Sequence, residues 1–167
     1  MRKIKIIAIA LLLANSFWGC EKDDICTEGT PTTPNVVIEF YDALNHTVLK
    51  PVTNLKIVSP GYTEMENENG VSKIKFPLKT NALETVFNIT LNGYDSDATN
   101  DNTDVLTFNY TKSDVFISRA CGFKTVFQLN ENNPVLTDGD ATFWITDIEV
   151  TQPNIQNENE THIKIYF

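Results

Sequence analysis

Four aspartates between positions 95 and 104 form the densest group of oxygen donors in the sequence. They are Asp95, Asp97, Asp101 and Asp104, and serine, threonine, alanine and asparagine residues separate them. Calcium takes about six to eight oxygen ligands from carboxylates, amides and backbone carbonyls, so this stretch could bind calcium. Its spacing does not fit an EF-hand loop, and a solvated loop between two strands is the simpler interpretation. Calcium is therefore the alternative, and no other cofactor is expected.

The sequence lacks the usual signatures of catalysis. His46 and His162 are the two histidines, and both have polar or exposed sequence contexts. No His-x-x-x-His pair, Gly-x-Ser-x-Gly elbow or phosphate-binding loop occurs, and these motifs mark metal-dependent, nucleophilic and phosphoryl-transfer chemistry. We therefore predict that the protein is not an enzyme and has no catalytic residues. A hydrolase built on converging carboxylates is the opposing class.

Arg119 and the aromatic residues are candidates for recognising a ligand. The guanidinium fork of Arg119 could bind a carboxylate, although an ion pair with a neighbouring acidic residue is the simpler interpretation. Aromatic side chains could stack on sugar rings if they faced solvent together, and otherwise they belong to the core or cover an edge. The residues considered for such a platform are Trp144, Tyr41, Tyr62, Tyr94 and Tyr110.

The first nineteen residues predict a secretory signal. Three cations at positions 2, 3 and 5 precede an apolar run from 6 to 14. A membrane-spanning helix needs about 20 apolar residues, so this run is too short to span, and the pattern is typical of a signal peptide. Cys20 directly follows Gly19, which resembles the lipobox of bacterial lipoproteins. The resemblance implies cleavage before Cys20 and acylation of that cysteine, with an ordinary signal peptide as the alternative.

The residues that follow Cys20 suggest a localisation signal. Glu21, Lys22, Asp23 and Asp24 are similar to the surface-export signal of bacteroidete-type lipoproteins. The resemblance implies an outer-membrane protein that is held in lipid by the acylated Cys20 and exposed at the cell surface. A periplasm-facing anchor is the alternative.

Two cysteines remain for a disulfide. An oxidising envelope favours a bond between Cys26 and Cys121, with two free thiols as the alternative. Cys26 lies six residues after Cys20, which is at most about 20 Å of extended chain, so a bonded Cys26 would hold the domain against the membrane. Residues 20–34 are expected to be a lipidated tether. Residues 27–34 have the composition of a free stalk, and they would become a strap along the domain surface if Cys26 is bonded.

From residue 35 onward the pattern is that of short strands. β-Branched and aromatic residues alternate with polar ones between turns rich in Asn, Asp, Gly and Pro, and no capped helical periodicity occurs. We expect Phe87, Ile89 and Leu91 to face inward. The pattern predicts an all-β fold, a single antiparallel β-sandwich of about seven to nine strands over residues 35–167. The expected strands are 36–42, 55–58, 72–76, 86–91, 105–110, 115–118, 124–129, 142–150 and 162–167.

Two resemblances extend this interpretation. Residues 36–58 resemble the opening hairpin of transthyretin-like and immunoglobulin-like bacterial modules. Most of the chain after residue 19 resembles a family of small bacteroidete-type lipoproteins classed only as a domain of unknown function, and residues 20–26, 28–31 and 118–123 carry that likeness. Both Cys26 and Cys121 lie in these segments, which supports their pairing. The resemblance implies no activity.

The charge of the chain limits its partners. It has 13 Lys and Arg against 22 Asp and Glu, a net charge of -9. Removing residues 1–19 takes away three cations, which leaves 10 against 22 and a net charge of -12. So acidic a chain is not expected to bind nucleic acid, because phosphate requires a basic face. We predict a non-enzymatic binding or accessory module of the envelope with a protein partner, and a glycan- or calcium-binding surface protein as the alternative.

Overall fold

The structure is a computed structural model that describes residues 25–61 and 68–167. Ten β-strands and no helix occur in these two ranges. Across the same ranges, no helix has the length and apolar character needed to cross a membrane. The strands are β1 (Val36–Tyr41), β2 (Lys56–Val58), β3 (Lys73–Phe76), β4 (Glu84–Leu91), β5 (Asn102–Ser118), β6 (Gly122–Leu129), β7 (Val135–Asp138), β8 (Asp147–Val150), β9 (Asn154–Ile155) and β10 (Ile163–Tyr166).

The four-stranded sheet has the order β3-β1-β10-β8. Its central pair, β1 and β10, is parallel, with Ile38 opposite Ile163 and Phe40 opposite Ile165. β3 and β8 flank this pair in antiparallel orientation. Parallel neighbours need a long connection, and here eight other strands lie between the two in the chain. The first and last strands of the fold therefore meet at the centre of this sheet.

The six-stranded sheet is organised around β5, which is 17 residues long. β4 pairs along one edge of β5, and β6 and β7 both pair along the other. Where the chain passes from β6 to β7, the amide of Asn109 donates to Oδ1 of Asn133 at 2.8 Å, and the amide of Asn130 donates to the carbonyl of Asn109 at 3.0 Å. At the gap between β6 and β7, the Asn133 side chain thus accepts the β5 backbone hydrogen bond that a neighbouring strand would otherwise accept.

The two sheets pack as a sandwich around an aromatic and aliphatic core. Phe76 of one sheet stacks on Phe87 of the other with ring centroids 4.5 Å apart, and Phe87 meets Phe108 edge-on at 5.7 Å. Phe87 and Ile89 are buried and Leu91 packs against the core, so the inward row expected for β4 is confirmed. Alternate side chains of a strand point to opposite faces, which is why the residues between them are only half-buried.

The structure confirms the all-β sandwich and differs from the sequence prediction in detail. Residues 105–110 and 115–118 belong to the single strand β5, β7 and β9 were not predicted, and residues 142–146 precede β8. The opening hairpin that the resemblance implied is wrong, because β1 and β2 lie in different sheets. The central β1–β10 pair is also parallel, which the expected antiparallel hairpins did not include.

The chain forms two compact units. In the described part of the chain, the smaller unit contains residues 25–30 and Phe116–Phe123. The larger unit contains Pro31–Val115 and Lys124–Phe167, and it holds the sandwich core. The predicted boundaries at residues 19 and 34 stay predictions.

Candidate functional site

The residues predicted to carry lipid and export lie outside the described residues. These are Cys20, Glu21, Lys22, Asp23 and Asp24, and the predicted signal peptide 1–19 lies outside them as well. The described residues begin at Ile25, next to the first cysteine whose partner the structure reveals.

Cys26 and Cys121 form the disulfide that the cysteine count predicted. The two sulfurs are bonded at 2.07 Å, and the Cα atoms are 4.9 Å apart across 95 positions of sequence. Both cysteines belong to the smaller unit. The bond thus fixes the chain, six residues after Cys20, to the turn between β5 and β6.

Short hydrogen bonds shape the segments on both sides of this disulfide. The amide and hydroxyl of Thr30 both donate to the carbonyl of Thr27, at 3.2 and 2.7 Å, which closes a turn after Cys26. The amide of Cys121 donates to Oγ of Ser118 at 3.0 Å. Gly122 has a φ of 70°, a conformation that a residue without a Cβ adopts without strain, and it leads the chain into β6.

The four aspartates of the candidate calcium site have different roles in the structure. Asp95 accepts a hydrogen bond from the amide of Asp97 at 2.7 Å, and Asp97 accepts from the amide and hydroxyl of Thr99 at 3.1 and 2.5 Å, so both cap local turns. Asp101 is exposed and precedes β5, whereas Asp104 is buried within it. Among residues 25–61 and 68–167, no group of three or more His, Cys, Asp or Glu side chains is arranged to hold a metal ion.

Asp104 instead organises the segment before β8. Its Oδ2 accepts hydrogen bonds from the amides of Trp144 and Ile145 at 3.1 and 2.8 Å, while its buried Oδ1 has no partner within the described residues. Burial raises the pKa of Asp104 above the ordinary aspartate value, and nearby Asp138 and Asp140 add to this, although the two amides oppose it. This carboxylate therefore positions backbone rather than a ligand.

The aromatic candidates that the structure describes lie in different environments. Trp144 is buried and donates from Nε1 to the carbonyl of Ile89 at 3.1 Å, so it belongs to the core and not to the alternative, a sugar-stacking platform. Tyr110 is also buried, and its hydroxyl donates to the carbonyl of Lys79 at 2.8 Å. Tyr41 is half-buried, Tyr94 is exposed, and Tyr62 lies outside the described residues. Burial and these hydrogen bonds place the rings of Trp144 and Tyr110 in the core.

Arg119 and the histidines occupy contrasting environments. Arg119 is exposed, and the described part of the chain contains no ion pair with it. His46 is exposed and stacks on Tyr166 with ring centroids 4.0 Å apart. The polar sequence context of His162 did not indicate its environment, because its side chain is fully buried. Burial lowers the pKa of His162, against the attraction of Glu160 and Glu158.

A groove that the sequence did not indicate lies beside β8 in the larger unit. It has a volume of about 540 Å³. Amide side chains line one part of it, and apolar residues of β8 and the following turn line another. The lining residues are Gln128, Leu129, Asn130, Glu131, Asn132, Asn133, Pro134, Ile148, Val150 and Pro153. The available signal was the turn-rich run 130–134 that follows β6, but sequence alone gives no indication that β8 packs beside it.

These observations define an all-β sandwich domain with one disulfide near its N-terminal end. Residues 54–167, about two thirds of the chain, match the model of a family of unknown function, DUF6452, and the chain belongs to this family. The match includes Cys121 but starts after Cys26, so the N-terminal segments that carried part of the expected resemblance lie outside it. No curated protein and no solved structure matches this chain.

Proposed function

We propose that this protein is a lipid-anchored, non-enzymatic binding module of the bacterial outer membrane. The observation that carries the proposal is the Cys26–Cys121 disulfide, because it ties the segment after Cys20 to the folded chain. Disulfides persist in oxidising compartments, which fits an envelope protein. Stable anchoring needs more than one acyl chain, and the lipobox-like Gly19–Cys20 junction supplies the place for them. The bacteroidete-type lipoprotein class and an immunoglobulin-like or transthyretin-like form of the sandwich are part of the same proposal.

Replacing Cys20 is expected to release the protein from the membrane. Cys20→Ala removes the only sulfur proposed to carry lipid, so the variant should lack acyl mass and should no longer float with membranes in a density gradient. Cys26→Ala is the matched control, because it also removes one thiol but leaves the proposed anchor. Intact-mass measurement and flotation of both variants check this. Acyl mass retained on Cys20→Ala contradicts the proposal.

The acidic residues after Cys20 are expected to decide surface exposure. Protease added to intact cells should degrade the wild-type domain and spare a variant that carries Asp23→Asn and Asp24→Asn. A variant with Glu64→Gln and Glu66→Gln loses the same number of charges elsewhere and should be degraded like the wild type. Immunoblotting after protease treatment measures the surviving domain. Survival of the wild-type domain in sealed cells, with degradation after lysis, would overturn the surface assignment.

The proposed binding surface is the groove beside β8. This strand is an edge of its sheet, and three of its four residues are exposed. An exposed edge can add an extended segment of another protein through main-chain hydrogen bonds. Glu131 lines the groove and Asp147 is exposed on β8, so the segment that fits is basic. Glu149 on the same strand is already paired with Lys164 at 3.5 Å. The occupant that we propose is an extended, lysine- or arginine-containing segment of an envelope protein.

Val150→Lys is expected to weaken capture of that partner strongly. Val150 is 38% exposed and lines the groove, whereas Val135 on β7 is 43% exposed and does not line it. Lysine at position 150 would place a cation against a basic segment, so recovery should fall about tenfold or more, as at a binding hot spot. Val135→Lys is the matched control and should bind like the wild type. The measurement is a quantitative pull-down from detergent-solubilised membranes, which compares how much of the same partner each acylated variant recovers. Equal recovery by Val150→Lys and Val135→Lys contradicts the groove assignment.

A further inference from the structure

Three large apolar side chains are exposed around the disulfide in the smaller unit. Ile25 is 78% exposed, Phe116 is 56% exposed and Phe123 is 66% exposed. Phe116 is near the end of β5 and Phe123 is near the start of β6, and their rings meet edge-on with centroids 5.3 Å apart. We call these three residues the aromatic tip. Exposing a paired set of large apolar groups to water is unfavourable, so the aromatic tip suggests a surface that is covered in use.

The charge of this unit differs from that of the chain as a whole. In the described residues of the smaller unit, 25–30 and 116–123, the charged side chains are Glu28 and Arg119, which balance. The chain from residue 20 onward carries 10 cations against 22 anions, a net charge of -12. The three side chains of the aromatic tip are therefore uncharged in a strongly acidic protein, although residues 21–24, which precede Ile25, add three anions and one cation. A neutral apolar region is the part of such a protein that an anionic membrane repels least.

The length of the tether limits how far the aromatic tip can be from lipid. Cys26 lies six positions after Cys20, which is at most about 20 Å of fully extended chain. The disulfide then adds 4.9 Å between the Cα atoms of Cys26 and Cys121. Phe116 and Phe123 lie within a few residues of Cys121 in sequence and belong to the same compact unit. An acyl chain on Cys20 thus keeps the aromatic tip close to the headgroup layer.

We infer that the aromatic tip inserts into the lipid interface beside the acylated Cys20. This inference rests on the proposed lipid anchor and adds a second, protein-based contact to it. Phenylalanine and other large apolar side chains can bury at the boundary between headgroups and acyl chains, where they leave water. Arg119, exposed between the two phenylalanines, extends toward lipid phosphates. The occupant of this surface is the lipid bilayer, and the disulfide sets its position by holding residue 26 at the turn.

Quenching by brominated lipid tests the inference on the full acylated protein. Phe116→Trp places a fluorophore at the aromatic tip, and Phe143→Trp is the matched control, since Phe143 is 54% exposed in the larger unit. Each variant is reconstituted in vesicles of phosphatidylethanolamine and phosphatidylglycerol with or without bromine on the acyl chains. Trp144 is buried and supplies the same background in both variants. We expect Phe116→Trp to lose most of its added emission in brominated vesicles and Phe143→Trp to keep its own.

The outcomes separate this inference from the proposed anchor. If the acylated protein floats with the vesicles but Phe116→Trp is not quenched, the anchor stands and the aromatic tip does not insert, which would leave it free for a protein partner. Equal quenching of the two variants also overturns the inference, because it indicates a domain lying on the membrane without preference. If the protein carries no acyl group and does not float, the proposed anchor fails instead. Adding Cys121→Ser to Phe116→Trp should restore emission, because the tether no longer holds the turn at the membrane.

Discussion

Loss of the Cys26–Cys121 disulfide is expected to lower the free energy of unfolding by about 3–5 kcal/mol in the chain-entropy account. The bond joins positions 95 residues apart, so it restricts more than half of the unfolded 167-residue chain. The entropy of closing a loop grows with its length, so a loop of this size is expected to contribute near the upper end of the usual range for disulfides. Urea unfolding of the acylated protein with and without reductant measures the change.

Single replacements distinguish the effect of the crosslink from that of the side chains. Cys26 is exposed and Cys121 is half-buried, so the two sites differ in packing while sharing one bond. If the crosslink dominates, Cys26→Ser, Cys121→Ser and the double variant should lose the same free energy, and reductant should have no further effect on any of them. A loss seen only in Cys121→Ser would show that local packing, and not the crosslink, provides the stability.

Replacing His162 by alanine is expected to lower the free energy of unfolding by about 2–4 kcal/mol, because it removes a buried side chain and leaves a buried amide without a partner. The amide of Val37 donates to Nδ1 of His162 at 2.9 Å, and the amide of His162 donates to the carbonyl of Val37 at 2.9 Å. These two bonds extend the β1–β10 contact beyond its strand register. His162→Asn keeps an acceptor near the Nδ1 position and should lose less, while His46→Ala at an exposed site is the control. Chemical unfolding at neutral pH compares the three.

The same histidine should make stability depend on pH. Burial lowers the pKa of His162 in the folded protein, so the unfolded chain binds a proton more readily. Stability from this group is complete above the ordinary histidine pKa of about 6.5 and is lost as pH falls from there toward the lowered folded value. Protonation also turns Nδ1 into a donor, which ends its bond with Val37. His162→Asn should remove this decrease in the free energy of unfolding below pH of about 6.5. If the wild type and His162→Asn show the same pH dependence there, other groups cause it.

Local patterns predicted most of the sandwich because burial alternates along its strands. In β4 the alternation of apolar and polar residues placed Phe87 and Ile89 inside, and the structure agrees. β5 was divided in two because residues 111–116 are exposed on both faces and show no alternation. What makes them a strand is their pairing with β6 across the turn at residues 119–121, which is a contact and not a local preference. The short strands β7 and β9 depend on neighbours in the same way.

The candidate sites were predictable only where covalent chemistry limits the choice. After Cys20, two cysteines remained, and their pairing followed from the count. Asp104 looked like one more acidic loop residue, yet it is buried and holds the amides of Trp144 and Ile145. A carboxylate in a polar run gives no local sign that a distant backbone segment will satisfy it. The same reason explains why the polar residues before His162 gave no sign that its side chain is buried.

The sequence by itself determined the fold class, the inward row of β4 and the cysteine pair. These depend on alternation along one strand or on counting residues. Only the tertiary structure decided the parallel β1–β10 pairing, the groove beside β8 and the exposure of the aromatic tip at Phe116 and Phe123. Each of these depends on which distant segments become neighbours, and that is set by the packing of the whole core, because the local pattern of any one segment is compatible with several partners.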